Sequence, residues 1–442
     1  MEIPTATPSP SFHRNDRRVI NGWAMFDWAN SAFALVITVA IFPPYFLEVT
    51  DETVRLLGLS MSNSSLYAFA ISFAYLLIAS VSPWLSGMAD YSGRKKLFLK
   101  IFTTIGSVGC LSLLWFHGMS TLWVGVAGFV LAMIGFAGGL VFYNSYLPDI
   151  VTEDLYDRVS AKGFAFGYVG SVLLLIINLV MLLKPEIFGL PSEGTLPARI
   201  AFFMVGIWWI GFAQIPFRRL PPDQKKGRPS ASLARQGWKE LMKVWRAVRQ
   251  STQIKRFLLS FFCYSMGVQT VLFLAATFAE KELAFATSEL IIVVLILQLV
   301  AIVGAYVFAW VSDRYGNKLS LAVMLVIWTV ICVVAYFVQD KMQFYAIASA
   351  VGLVMGGIQS LSRSTYSKLL PKETEDTTSY FSFYDVLEKV AIVLGTFIFG
   401  LAELITGNIR NSVLVLGAFF VISLIILLRI RIEHSRTRPI PA

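Results

Sequence analysis

Apolar residues fall into twelve long runs, near 20–47, 64–88, 97–117, 121–147, 163–183, 199–217, 257–279, 287–311, 319–338, 343–369, 381–405 and 411–429. A helix crossing the hydrocarbon core of a bilayer needs about 20 such residues, and each run is of about that length. The pattern predicts an all-α membrane protein with twelve transmembrane helices, arranged as six, a polar stretch and six. A first bundle is expected over residues 1–218, a basic linker over 219–255 and a second bundle over 256–442. Within the linker, Ala234, Trp238, Leu241, Trp245 and Val248 recur at helical spacing, while Arg235, Lys239, Lys243, Arg246 and Arg249 take other faces. That is the pattern of an amphipathic helix lying on the anionic inner leaflet of a membrane. The polar, Pro-rich N-terminal stretch leads into a first run with an acidic residue inside it and no small-residue cleavage site, so it reads as a retained helix.

Composition agrees. Hydrophobic residues make up 56% of the chain and charged residues 14%, too few to cover the surface of a soluble protein of this size. The net charge of +10 does not indicate nucleic acid, because the basic residues are concentrated in alternate connections. Between the runs assigned to the outside stand only Arg55, Lys184, Arg199, Lys281, Lys341 and Arg410. This bias predicts that both termini are cytoplasmic. Cys110, Cys263 and Cys332 each sit within an apolar run, and His13, His117 and His434 lie in a tail or at a helix end, so neither a metal site nor a histidine proton relay is expected. No phosphate-binding G-x-x-x-x-G-K-[ST] loop occurs. No cofactor and no bond-making chemistry are expected, which leaves proton coupling open as the energy source.

The two halves repeat. Gly87-Met88-Ala89-Asp90-Tyr91-Ser92-Gly93-Arg94-Lys95-Lys96 joins runs 2 and 3, and Ala309-Trp310-Val311-Ser312-Asp313-Arg314-Tyr315-Gly316-Asn317-Lys318 joins runs 8 and 9. The offset that aligns Asp90, Gly93 and Lys95 with Asp313, Gly316 and Lys318 also carries Tyr143 to Tyr366 and Pro148 to Pro371. A parallel duplication follows. Each loop is a tight bend with glycine at its centre and an aspartate able to accept backbone N–H groups at a nearby helix start. Asp90 is expected to meet the start of helix 11 near Ser379–Phe383, and Asp313 the start of helix 5 near Val159–Gly163. With Gly87, Gly93, Arg94, Arg314 and Gly316, these residues form a candidate conformational latch.

The stretch Gly87-x-x-Asp90-x-x-Gly93-Arg94-Lys95 resembles the signature between helices 2 and 3 of the major facilitator superfamily, over essentially the whole chain when the second copy is included. Gly22-Trp23-Ala24-Met25-Phe26-Asp27-Trp28-Ala29-Asn30-Ser31, the Phe42-Pro43-Pro44-Tyr45-Phe46 that follows, Gly163–Gly170 and Gly356–Ser364 are similar to the vacuole-effluxer-like branch, in its compact bacterial form. The best-known members of that branch release amino acids from fungal vacuoles. The resemblance implies a monomeric transporter in a bacterial inner membrane whose helices 1, 4, 7 and 10 line a central cavity.

Ionisable groups inside a membrane are costly and therefore candidates for function. Asp27 on helix 1, Arg363 on helix 10 and Asp385, Glu388 and Lys389 on helix 11 all fall in the cytoplasmic third of the bundle. Asn30, Tyr143, Asn144, Gln269 and Gln359 lie nearby on cavity-lining helices. Asp27, Arg363 and these polar residues are candidates for substrate binding or gating, and Asp385, Glu388 and Lys389 for an inner gate or interface. Structural alternatives stand beside these: Asp27 bracing neighbouring backbone, Arg363 pairing with it or reaching to the interface, and Glu388 with Lys389 forming an interfacial pair. The expected activity is secondary transport of an amino acid or similar zwitterion by alternating access. A sugar or drug exporter, with Trp28, Phe142 and Tyr143 as aromatic walls, and a lipid flippase are the alternatives.

Overall fold

The computed structural model describes residues 13–56, 59–191, 194–224, 233–372 and 374–432. Most of the Pro-rich N-terminal stretch, part of the linker (225–232) and His434 lie outside them. The long helices, in chain order, are α1 (Arg17–Val49), α2 (Asn63–Ser92), α3 (Lys95–Ser112), α4 (Leu122–Asn144), α5 (Tyr156–Leu183), α6 (Leu196–Arg219), α7 (Thr252–Leu283), α8 (Thr287–Tyr315), α9 (Asn317–Phe337), α10 (Lys341–Leu369), α11 (Thr377–Thr406) and α12 (Ile409–Leu428). Over the described residues all but α7 are long and apolar enough to cross a membrane, and α7 packs among them on α10, α11 and α12. Helix α1 widens into a π-helix over Phe33–Ile41 before returning to α at Phe42. Pro43 and Pro44 follow at once and supply no N–H to the turn before them. Ser62, Ser251 and Asp340 cap α2, α7 and α10 by accepting a backbone N–H three residues on.

An element absent from the sequence-based expectations is a short antiparallel hairpin after α1, β1 (Thr53–Leu56) paired with β2 (Leu59–Ser62).

One apolar core, from Val19 to Leu220, holds α1–α6 together. A second, from Val244 to Ile430, holds α7–α12, and Tyr168 of α5 joins it from the first half. Large apolar side chains such as Phe69, Leu76, Trp123, Val330 and Phe397 remain exposed around the outside, as a lipid-facing surface requires. The protein is an all-α, multi-pass membrane protein of two six-helix bundles. Between the bundles α5 meets α8 and α10, while α11 meets α2 and α4.

The linker helix (Leu233–Gln250) docks on protein along one face. Its buried seam is Gly237, Leu241, Val244 and Val248, packed on protein, and Trp238 and Trp245 are exposed at its flank. The helix docks on α2, where Trp84 Nε1 donates to Ala234 O (3.0 Å), and on α11, where Trp245 packs on Phe383 (ring centroids 5.3 Å apart). Gly237 permits this docking. A Cβ on Gly87 would stand 2.1 Å from Gly237 O, and one on Gly237 would stand 2.8 Å from Met88 N. Lys243 reaches Asp376 Oδ2 (2.7 Å), and that hydrogen bond holds its pKa above the usual lysine value.

Candidate functional site

The connections at 93–94, 145–155, 220–224, 316, 370–372 and 374–376 share one end of the molecule with the linker helix, here called the basic end. Hydrogen bonds between the bundles cluster there, and a cavity of about 300 Å³ lies between the bundles on the far side of that junction. Its wall includes Asp27, Asn30, Asn144, Gln269, Gln359, Arg363, Glu388 and Lys389. Tyr143 and Asp385 stand behind the wall. The aromatic wall is not the expected one: Trp28 stacks on Trp208 and Phe142 on Phe98 and Phe102, because both side chains face into their own bundle. Tyr75, Phe164, Tyr168, Phe261, Tyr264 and Tyr384 line the cavity instead.

Arg363 forms the floor. It is 2% exposed, so its charge must be matched by protein. Nη1 lies 3.5 Å from Asp27 Oδ2 and 3.0 Å from Asn144 Oδ1. Nε donates to Ser160 Oγ (2.9 Å) and Nη2 to Ser160 O (2.8 Å). The guanidinium is layered between the Trp23 and Phe164 rings, 4.6 and 4.3 Å from their centroids. Tyr143 fixes Asp27 by donating to its Oδ2 (2.7 Å), and Trp23 Nε1 donates to Tyr143 O (3.0 Å). Gly163 makes room: a Cβ there would lie 2.8 Å from Asp27 Oδ2 and 2.9 Å from Arg363 Nη2. Ser160 Oγ also donates to Ser360 O (2.7 Å), and Tyr168 to Gln359 Oε1 (2.7 Å), so α5 is tied to α10 along the floor.

A second charged cluster stands on α11. Lys389 donates to Asp385 one turn before it, and Gln269 Nε2 donates to Glu388 Oε1 (3.0 Å). On the wall, both amide atoms of Asn30 and Oε1 of Gln298 make no hydrogen bond to any described residue.

The two loop motifs behave differently. Asp90 accepts from the backbone N–H groups of Thr378 (3.3 Å) and Ser379 (2.7 Å), at the start of α11. Lys95 adds Thr377 Oγ1 (2.6 Å) and Asp149 (2.6 Å). Arg94 closes the turn through its backbone, donating to Ala89 O (3.1 Å). Asp313 does not meet the Val159–Gly163 backbone; it takes the Arg158 side chain (2.5 Å). Asp157, at the start of α5, instead bonds the second loop, accepting from Ser312 Oγ (2.9 Å) and Asn317 Nδ2 (2.8 Å), and it also accepts from Lys368 Nζ of α10 (2.8 Å). The turns explain the difference. Gly93 is left-handed (φ 64°, ψ 26°), whereas Gly316 combines φ 87° with an extended ψ of 156°, so the loops leave their helices in different directions. Arg314 lies over the Trp310 ring (4.3 Å).

Residues 15–438 match the family model described as vacuole effluxer Atg22 like. The uncharacterized MFS-type transporter YxiO of Bacillus subtilis (strain 168) is 30% identical over 416 residues, covering 94% of this chain and 95% of YxiO. Autophagy-related protein 22-1 of Aspergillus terreus is 26% identical, covering 85% of this chain and 75% of that protein. Among solved structures, the human organic anion transporter MFSD10 superimposes with a TM-score of 0.72 at 11% identity, covering 94% of this chain and all of that one. The E. coli fucose:proton symporter FucP gives 0.69 at 13%, covering 93% and 97%.

Proposed function

The chain belongs to the vacuole effluxer Atg22-like branch of the major facilitator superfamily transporters, and from that premise we propose that its cargo is an amino acid or a similarly small zwitterion. The observation that carries this reading is the cavity: about 300 Å³, set between the bundles, with carboxylates and cationic side chains both on its wall. Space of that size suits a small solute; Glu388 offers an anionic partner for an ammonium group, and the amide of Asn30, unpaired among the described residues, a donor for a carboxylate. The vacuolar effluxers that give the family its name lend support. With the basic end cytoplasmic, as the Lys/Arg bias indicates, the bonds between the bundles close the cytoplasmic side of the cavity. Transport then requires the bundles to rock until the basic end parts and the opposite end closes.

The test is uptake and counterflow of labelled L-amino acids in proteoliposomes, with and without an imposed pH gradient. At least one amino acid is expected to exchange, and a gradient-driven component would identify proton coupling. If none of the panel moves while the protein is folded and inserted, the zwitterion reading is wrong.

A further inference from the structure

We infer that the cavity contains a subsite for an organic ammonium group, formed by Glu388 and Gln269 among tyrosines, and that Arg363 is not the group that receives the cargo's carboxylate. The inference deepens the zwitterion reading and rests on it. It begins with Arg363, whose guanidinium nitrogens already bond Ser160, Asn144 and Asp27 and whose faces are covered by Trp23 and Phe164. To bind a carboxylate it would have to abandon partners that join the two bundles.

The remaining charges leave an excess anion. Asp27, Asp385 and Glu388 stand against Arg363 and Lys389, and Lys389 is held by Asp385. Glu388 therefore lies on the cavity wall with a neutral amide, Gln269, as its hydrogen-bond donor. Tyr75, Tyr264 and Tyr384 share that wall. A carboxylate beside aromatic rings is the combination that recognises ammonium groups, through a charge-assisted hydrogen bond and through the negative ring faces. Asn30 supplies the independent sign of a missing ligand. It is 1% exposed and borders the same cavity, yet its amide nitrogen and oxygen bond no described residue. A buried amide left unpaired is costly, and the polar remainder of a bound molecule would satisfy it.

The probe is n-butylamine hydrochloride, with sodium butyrate as its anionic counterpart, titrated into detergent-purified protein with thermal unfolding as readout. The amine should raise the transition temperature of the wild type, and butyrate should not. In Glu388→Gln the amine's apparent Kd should weaken about tenfold or more, as loss of a hydrogen bond to a charged group predicts. Glu388→Asp, which keeps the charge, should retain part of the affinity and so separates charge loss from misfolding. The subsite is overturned if the amine fails to protect the wild type, protects Glu388→Gln equally, or is surpassed by butyrate. Neutralisation of Glu388 by a proton alone predicts the first of these. The two readings can fail separately: Glu388-dependent amine binding without amino-acid transport sinks the zwitterion cargo, and transport without amine binding sinks the subsite.

Discussion

Arg363 and Asp27 hold opposite charges out of water, so the loss of one leaves the other uncompensated. Breaking such a pair costs about 3–5 kcal/mol, whereas removing both charges is far milder. Arg363→Gln and Asp27→Asn should each lower the thermal transition of the purified protein more than the double variant does. A double variant less stable than both singles would refute the coupling. Gly163→Ala tests the same centre without altering a charge. Its Cβ would press on both partners, so transport should fall sharply while the protein still reaches the membrane. The charges themselves were legible in the sequence, because ionisable residues within apolar runs stand out. Among their neutral partners Tyr143 and Asn144 were legible too, but Ser160 was not: it lies 203 positions from Arg363, and a serine near a helix start carries no signal of its own. Asp157 escaped for a related reason, since an acid at the end of a span is unremarkable until the fold brings Ser312, Asn317 and Lys368 to it.

At the level of elements, the two loop motifs share a sequence pattern but form unlike contacts, and mutation should separate them. Asp90 is bonded to the first N–H groups of α11, where the helix dipole favours a negative charge by about 0.3–1 kcal/mol, and up to ~2 when partly buried. At ~2 kcal/mol, Asp90→Asn shifts the balance between closed and open basic ends by roughly 30-fold. Asp313 holds a half-exposed arginine, a contact worth about 0–1 kcal/mol, and Asp313→Asn should shift it little. Spin labels on cysteines replacing Leu97 and Leu319, both exposed on opposite bundles, would read the separation as a longer-distance component that grows in Asp90→Asn and not in Asp313→Asn. Equal responses would remove the distinction. The linker helix belongs to the same argument, because it lies on α2 of one bundle and α11 of the other. Gly237→Leu should lift it from Gly87 and lengthen the same distance, while Trp238→Ala, at an exposed position, should not. The sequence displayed the helix and its amphipathic character. It did not show the seam buried on protein, because tryptophan marks apolarity, whereas the docking face is set by a glycine that lets two backbones touch.

For the whole molecule, the decisive question is whether the basic end must part during turnover. The duplication, the twelve spans and the two bundles were readable from periodicity and repeat, since each depends on patterns summed over many residues. Which end is closed was not readable, because it depends on pairings such as Ser145 with Thr378 that cross from α4 to α11. Those two hydroxyl oxygens are 3.4 Å apart and both residues are buried, so cysteines in their places bring two thiols together across the junction. In Ser145→Cys with Thr378→Cys, oxidation should staple the bundles together in the closed arrangement. The native Cys110, Cys263 and Cys332 are buried and unpaired, so the new bond can be assigned by peptide mapping. Alternating access then predicts that oxidised protein binds from the open side but does not turn over, and that reduction restores the rate of the untreated variant. Each single-cysteine variant should be insensitive to oxidant. A stapled protein that still transports at the reduced rate would mean that the bundles do not separate at this end, and the solute would need another route past Arg363.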